Sequence, residues 1–241
     1  MLEVKNLKKC FGDFQAVKGV SFSVKEGEVL GFLGPNGAGK STTMRMITGF
    51  LPPTSGTAVI NGHDITTDPV AAKRDLGYLP EAAPSYRAMT VKDYLKFIAE
   101  VRGFAGKAGE QKVAEALRLA KLEDKAAQTI ETLSKGYRQR TAFAAAIIHD
   151  PKVLIMDEPT DGLDPNQKFT VRNMIKDMAA KGKAIIISTH ILEEVDAVCS
   201  KVVVISDGEK KFDGTPDELK AKDPSGKLDV VFRNLTMEEA K

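Results

Sequence analysis

The sequence is poor in cysteine: Cys10 and Cys199 are its only two among 241 residues. They lie far apart and outside any metal-ligand spacing, which argues against a disulfide scaffold or a zinc module and makes a reducing cytosol the simplest setting. An excess of one charge is lacking too. Thirty-five basic against 33 acidic residues leave +2, so no global field draws the chain to nucleic acid or a membrane surface. The longest apolar run, residues 142–148, falls far short of the roughly eighteen residues a membrane span needs. The opening MLEVKNLKKC holds no signal-peptide stretch. Neither an internal repeat nor a low-complexity linker is present. What remains is an ordinary globular balance, 42% hydrophobic and 28% charged, in a length that fits one large domain or two small ones.

Four short runs that are apolar throughout, 29–33, 153–156, 184–187 and 202–205, predict strands buried on both faces of a mostly parallel sheet. Helical patterns alternate with them, giving an α/β layered core. The clearest helix follows Asp164, which can cap it; Pro165 suits its first turn, and Val171, Met174, Ile175 and Met178 share one face. Residues 1–30 and 56–66 alternate instead and, with the Asn61-Gly62 turn signal, predict an antiparallel sheet. From about 86 to 148 only helical patterns occur. Thr90 and Asp93 read as a capping box before Val91, Tyr94, Leu95 and Ile98, and Val113, Ala116, Leu117 and Ala120 repeat the spacing. This stretch is expected to be a helical subdomain inserted into a single domain spanning residues 1–241. Asp207-Gly208 predicts a hairpin, and residues 215–241 form a C-terminal extension whose structure the pattern does not define.

Gly34, Pro35, Asn36, Gly37, Ala38, Gly39, Lys40 and Ser41 fit the phosphate-binding pattern G-x-x-x-x-G-K-[ST]. The run 29–33 precedes it and a helical stretch follows, which is the context this pattern needs. Glycines let the backbone curl so that successive N–H groups face phosphate oxygens. Lys40 then reaches the β- and γ-phosphates, and the Ser41 hydroxyl ligates Mg²⁺. The run 153–156 ends in two carboxylates, Asp157 and Glu158. Alone, such a pair reads equally as a solvated loop. Beside a phosphate loop it reads as a metal-holding acid followed by one that polarises an attacking water. Ser134 and Gly136 open the helix that runs through 142–148, an arrangement that suits an anion or an ordinary N-cap.

Taken in order, these residues resemble the ATP-binding subunit of ABC transporters, over residues 2 to about 220. GPNGAGKST at 34–42, ending in Thr42, is specific wording for that family's phosphate loop. Phe11 stands where the family stacks an aromatic ring on adenine, and Ser134 and Gly136 fall in its signature loop. Asp157 and Glu158 match its Walker B pair, Asp164 its D-loop and His190 its switch histidine. The resemblance implies the ABC ATPase fold: a P-loop NTPase core with a mostly parallel sheet, an N-terminal antiparallel β-subdomain and an inserted α-helical subdomain. It also implies ATP and Mg²⁺ as cofactors, Glu158 as general base, and Lys40 and His190 on the γ-phosphate. Ser134 and Gly136 are then expected to cover the nucleotide of the other subunit in a head-to-tail dimer.

Several positions depart from the family pattern: Phe11 replaces the more usual tyrosine and keeps its ring face, and the signature reads Ser-Lys-Gly-Tyr, with Lys135 and Tyr137, where Ser-Gly-Gly-Gln is commonest. Glu81 replaces the usual glutamine and is expected to act as a ligand of the metal or a γ-phosphate sensor, with an exposed hinge acid as the alternative. Lys135 enters the signature loop and is expected to be solvated, although a charge contact stays open. Glu193, Glu194 and Asp196 are expected to form a solvated helix face, and His63 and His149 to be structural. The implied partners are a second copy or a paralogous ATPase subunit, and an integral membrane permease met at the cytoplasmic face of the membrane. LSKGYRQR and DEPTDGLDPNQ look closest to ATPases paired with ABC-2-type permeases of the gliding-motility and multidrug-export groups, which implies export. No nucleic-acid partner is expected. A soluble ABC ATPase acting on ribosomes or DNA is the competing class; a single cassette with neither coiled coil nor zinc module in residues 50–133 weighs against it.

Overall fold

Why the core strands lack alternation is visible in a computed structural model, which describes residues 1–83 and 85–237. Strands β3 (Val29–Leu33), β7 (Val153–Asp157) and β8 (Ala184–Thr189) are buried at every residue. They lie inside a six-stranded sheet ordered β10-β9-β3-β8-β7-β6, with β6 at Leu76–Leu79, β9 at Lys201–Ser206 and β10 at Glu209–Gly214. All neighbours are parallel except β10, which returns antiparallel to β9 through Asp207-Gly208. Successive residues of each strand go to opposite cores, as the pleat requires. Val153, Ile155, Ala184 and Ile186 pack with Leu2, Val20, Phe22 and Met44 on one side. Leu154, Met156, Ile185 and Ile187 pack with Leu95, Phe143, Met174 and Ile175 on the other.

The first of those cores is closed by α1 (Lys40–Ile47) and a four-stranded antiparallel sheet. Its order is β2-β1-β4-β5, from β1 (Leu2–Phe11), β2 (Phe14–Val24), β4 (Ser55–Ile60) and β5 (His63–Asp64). Helix α2 (Pro69–Arg74) follows it. The second core is closed by α3 (Val91–Val101), α4 (Gly106–Leu119), α5 (Lys135–Ile147) and α6 (Pro165–Ala180), with 3-10 turns at Glu123–Lys125 and Ile130–Thr132. Thr90 caps α3 by accepting the Asp93 N–H (3.1 Å), while its hydroxyl donates to the Asp93 carboxylate (2.7 Å), a variant of the expected box.

A third cluster accounts for most of the extension at 215–241. Helices α7 (Leu192–Val198), α8 (Pro216–Lys220) and α9 (Leu228–Thr236) cover Val202 and Val204 with Val195, Leu219, Leu228 and Val231. Thr215 and Glu218 form a reciprocal capping box at α8. The last four residues of that extension, 238–241, lie outside the described residues.

His149, just past α5, donates from Nε2 to the Leu76 carbonyl (3.0 Å). Its Nδ1 is buried with no partner among the described residues. Burial, reinforced by the Arg102 guanidinium, holds its pKa down to about 4, from an ordinary 6.5. A base with a depressed folded pKa favours the folded state while neutral. The stability it carries is therefore complete above the unfolded value and is lost as pH falls through the interval down to the folded one. Urea unfolding at about pH 7.5 and about pH 5 is expected to show a larger acid loss in the wild type than in His149→Asn. Equal losses would contradict this assignment.

Candidate functional site

The candidate residues converge where the parallel strands end, the usual place for a ligand in such a sheet. Leu33 closes β3, residues 34–39 turn back over the sheet, and Lys40 begins α1. Gly39, with φ +99°, occupies the left-handed region, and a Cβ there would come within 2.7 Å of the Ala16 carbonyl oxygen. Gly34 approaches the sheet so closely that a Cβ would fall 2.4 Å from the Ile205 carbonyl oxygen. Any larger side chain must push the loop off the strands. The Lys40 ammonium folds into the loop it follows, donating to the carbonyls of Gly34 (2.8 Å) and Pro35 (3.2 Å). It is only 6% exposed. Burial pulls its pKa below the ordinary lysine value, while Glu158, then Asp157 and Glu81, pull it back up. A largely desolvated cation with neutral carbonyl partners is a ready receptor for an anion.

The two acids close β7 next to this cation. Asp157 is buried and accepts hydrogen bonds from the Ser41 hydroxyl (3.4 Å to Oδ1) and the Ser188 hydroxyl. Glu158 adopts φ +49°, a left-handed conformation that costs a non-glycine residue about 1 kcal/mol. It is held there by its own N–H, shared between the Ser188 carbonyl (3.1 Å) and hydroxyl (3.2 Å). The carboxylate consequently lies 3.9 Å from Lys40 Nζ and 3.0 Å from His190 Nδ1. Ser188 was not among the sequence candidates. Its place at the end of a core strand, two residues before His190, is the signal that could have found it.

Lys40, Ser41, Glu158 and His190 line a pocket of about 460 Å³, together with Phe11, Phe14, Ala16, Asn36, Gly37, Gly39, Thr42, Glu81 and Asp161, while Asp157 lines the neighbouring groove. The volume suits a small organic ligand. Other candidates serve the loop itself. The Ala38 N–H donates to the Pro35 carbonyl (3.2 Å), and the Ala38 carbonyl accepts from Gly208 (3.1 Å). Ser134, Gly136 and Asp164 do not line the pocket. Ser134 is the N-cap residue of α5 with its hydroxyl uncommitted to the helix. Gly136 is packed on the Gln167 side chain, which a Cβ would meet at 2.7 Å. Asp164 caps α6, accepting the Gln167 N–H at 3.0 Å.

Two charge readings are corrected here. Lys135 is not merely solvated: its ammonium lies 3.4 Å from the Asp161 carboxylate, joining the start of α5 to the loop after β7. Glu194 is not on a solvated face. It is 1% exposed and receives the Arg172 guanidinium through Nε (3.2 and 3.1 Å) and Nη2 (2.6 Å). Glu193 stays exposed, and Asp196 pairs with Lys220 at 2.6 Å.

Among the described residues no cluster of three or more His, Cys, Asp or Glu could cage a metal ion. The Ser41 hydroxyl beside the Asp157 carboxylate still fits Mg²⁺, which takes few protein oxygens and completes its octahedron with phosphate and water. Next to the pocket, and sharing Glu81 and Asp161 with it, lies a groove of about 850 Å³. Arg45, Phe50, Tyr78, Arg87 and Arg138 are among its walls.

Comparison with known proteins identifies the family. The family model described as ABC transporter matches residues 17–161. A probable multidrug ABC transporter ATP-binding protein of Escherichia coli K12, YbhF, is 38% identical over 222 residues. Those residues are 92% of this chain but 38% of that protein, so the chain spans well under half of that relative's length. The linearmycin resistance ATP-binding protein LnrL of Bacillus subtilis 168 is 38% identical over 91% of this chain and 70% of its own. Among solved structures, a dimeric post-hydrolysis state of the ATP-binding cassette MJ0796 bound to ADP and Pi matches with a TM-score of 0.80. Identity there is 25%, over 89% of this chain and 98% of the other. The family match covers more than half of the chain and contains both the phosphate loop and the Asp157–Glu158 pair, and the protein belongs to the ABC transporter family.

Proposed function

We propose that the chain binds ATP with Mg²⁺ in this pocket and hydrolyses it as the ATP-binding subunit of an ABC exporter. One observation carries the reading: the Glu158 carboxylate stands 3.9 Å from the phosphate-loop ammonium and 3.0 Å from His190, at the end of a buried strand. Phosphoryl transfer asks a protein mainly to position, to neutralise charge and to orient a water. Lys40 exchanges its two carbonyl partners for β- and γ-phosphate oxygens, because hydrogen bonds between charged groups are about twice as strong as those to neutral acceptors. Phe11 stacks on adenine. Ser41 and Asp157 would hold Mg²⁺, with Glu81 as a further ligand or γ-phosphate sensor; the cation would supply charge neutralisation at the phosphate oxygens. Glu158 takes the proton of the attacking water, and His190, donating from Nδ1, orients that carboxylate and meets the γ-phosphate.

Ser134 and Gly136 stand outside the pocket of their own chain. That position supports a head-to-tail dimer in which they close over the nucleotide held by a second copy or a paralogous subunit, with Asp164 at the crossing point. The similar cassette whose ADP-bound structure is dimeric supports dimerisation. No described helix is long and apolar enough to cross a membrane; we assign the crossing to a separate integral permease of the ABC-2 type, met at the cytoplasmic face. Exposed aromatic surface beside the large groove supports a docked partner there. Phe50 lines that groove and meets Tyr78, while Tyr86 lies between the groove residues Ser85 and Arg87 and meets Phe97. Export as the direction rests on relatives named for multidrug transport and linearmycin resistance.

The test is recovery of a tagged Glu158→Gln chain from detergent-solubilised membranes. A polytopic membrane protein in matching amount is expected. Recovery with ribosomes or nucleic acid instead would overturn the transport reading.

A further inference from the structure

The open end of the pocket carries two aromatic rings. Phe11 and Phe14 face each other across the Gly12-Asp13 turn of the β1–β2 hairpin, and both line the pocket. Phe11 is 50% exposed and Phe14 67%. Two large apolar side chains exposed together beside a ligand pocket mark a contact surface more than a packing surface. Their distance from the phosphate loop is fixed by backbone contacts. The Ala16 carbonyl packs against Gly39. The Lys18 N–H donates to the Gly208 carbonyl (2.8 Å), and the Gly208 N–H to the Ala38 carbonyl (3.1 Å). The hairpin tip is thereby held at one place relative to the phosphate loop.

Phe11 already has a partner for part of its surface: the Lys9 ammonium lies 5.2 Å from its ring centroid and is anchored by the Pro52 carbonyl at 2.8 Å. The hairpin contributes Phe11, Phe14 and Ala16 to the pocket lining, none of which has a side-chain donor or acceptor. A base seated at this end meets ring surface, and the area of its own ring system decides how well it is held.

We infer that Phe14 is a second base-contacting residue and sets a preference for purine over pyrimidine nucleoside triphosphates. The inference rests on the ATP reading above and adds a specificity-determining residue to it. Stacking against a side chain is worth on the order of 1–3 kcal/mol per base, so Phe14→Ala is expected to weaken ATP binding about tenfold or more. CTP is expected to weaken less, and inorganic tripolyphosphate, which has no base, not at all. Phe14→Tyr is expected to restore ATP binding, because it keeps the ring.

Isothermal titration of the wild type and both variants with ATP, CTP and tripolyphosphate in Mg²⁺ decides the matter. Unchanged ATP affinity in Phe14→Ala overturns the inference and leaves the ATP site standing. Equal weakening of ATP and tripolyphosphate overturns it too, since the ring would then act through the phosphate loop. A wild type that binds none of the three overturns the nucleotide reading and this inference together.

Discussion

Glu158→Gln is expected to lower ATP turnover by about 10³-fold or more, the upper range for losing a positioned general base, while ATP still binds. The substitution keeps the volume and one acceptor oxygen for the His190 Nδ1–H, now 3.0 Å away. It removes the lone pair that takes the proton of the attacking water. It also removes a negative charge 3.9 Å from Lys40 Nζ, which leaves that ammonium wholly to the phosphates and relieves repulsion between carboxylate and γ-phosphate. Turnover falls because the proton acceptor is lost, and the bound state persists because the repelling charge is lost with it. Phosphate release measured against ATP retention on the same sample checks both halves. A variant that still releases phosphate at the wild-type rate would remove Glu158 from the chemistry.

The second large effect concerns stability and is asymmetric. Arg172→Ala leaves Glu194 as an unpaired carboxylate at 1% exposure, and stranding a buried charge costs about 3–5 kcal/mol. Glu194→Ala leaves behind Arg172, whose side chain is 22% exposed and can turn toward solvent, so about half that loss is expected. The Arg172 guanidinium, its pKa raised chiefly by the Glu194 hydrogen bond, ties α6 to α7, the helix that follows His190. Urea midpoints of the two variants give the comparison directly. Equal destabilisation, or a larger loss in Glu194→Ala, would mean that the buried carboxylate is not what makes the pair costly to break.

How much of this was legible in the sequence depends on whether the signal is local. The phosphate loop and the four apolar runs are local: strands covered on both faces must be apolar at every position, and a loop that curls its N–H groups inward needs glycine at fixed places. Glu194 and Lys135 were misread because each is neutralised by a residue far along the chain, Arg172 and Asp161. Nothing in the surrounding residues distinguishes such a charge from a wholly solvated one. Ser188 and Phe14 sit beside recognised motifs, yet an inward hydroxyl or an exposed ring on a strand reveals its role only when the neighbouring strand is in place. Helix α9 was illegible for a third reason. It buries chiefly Leu228 and Val231 within a charged segment, to cover a sheet surface formed by Val202 and Val204.

The claim on which the rest depends is that one chain holds ATP but completes the site only with a second copy. Sedimentation velocity of Glu158→Gln with and without Mg²⁺-ATP tests it most directly. A monomer without nucleotide that becomes a dimer carrying two ATP is the expected result. A protein that binds ATP stoichiometrically and stays monomeric at all accessible concentrations would contradict it.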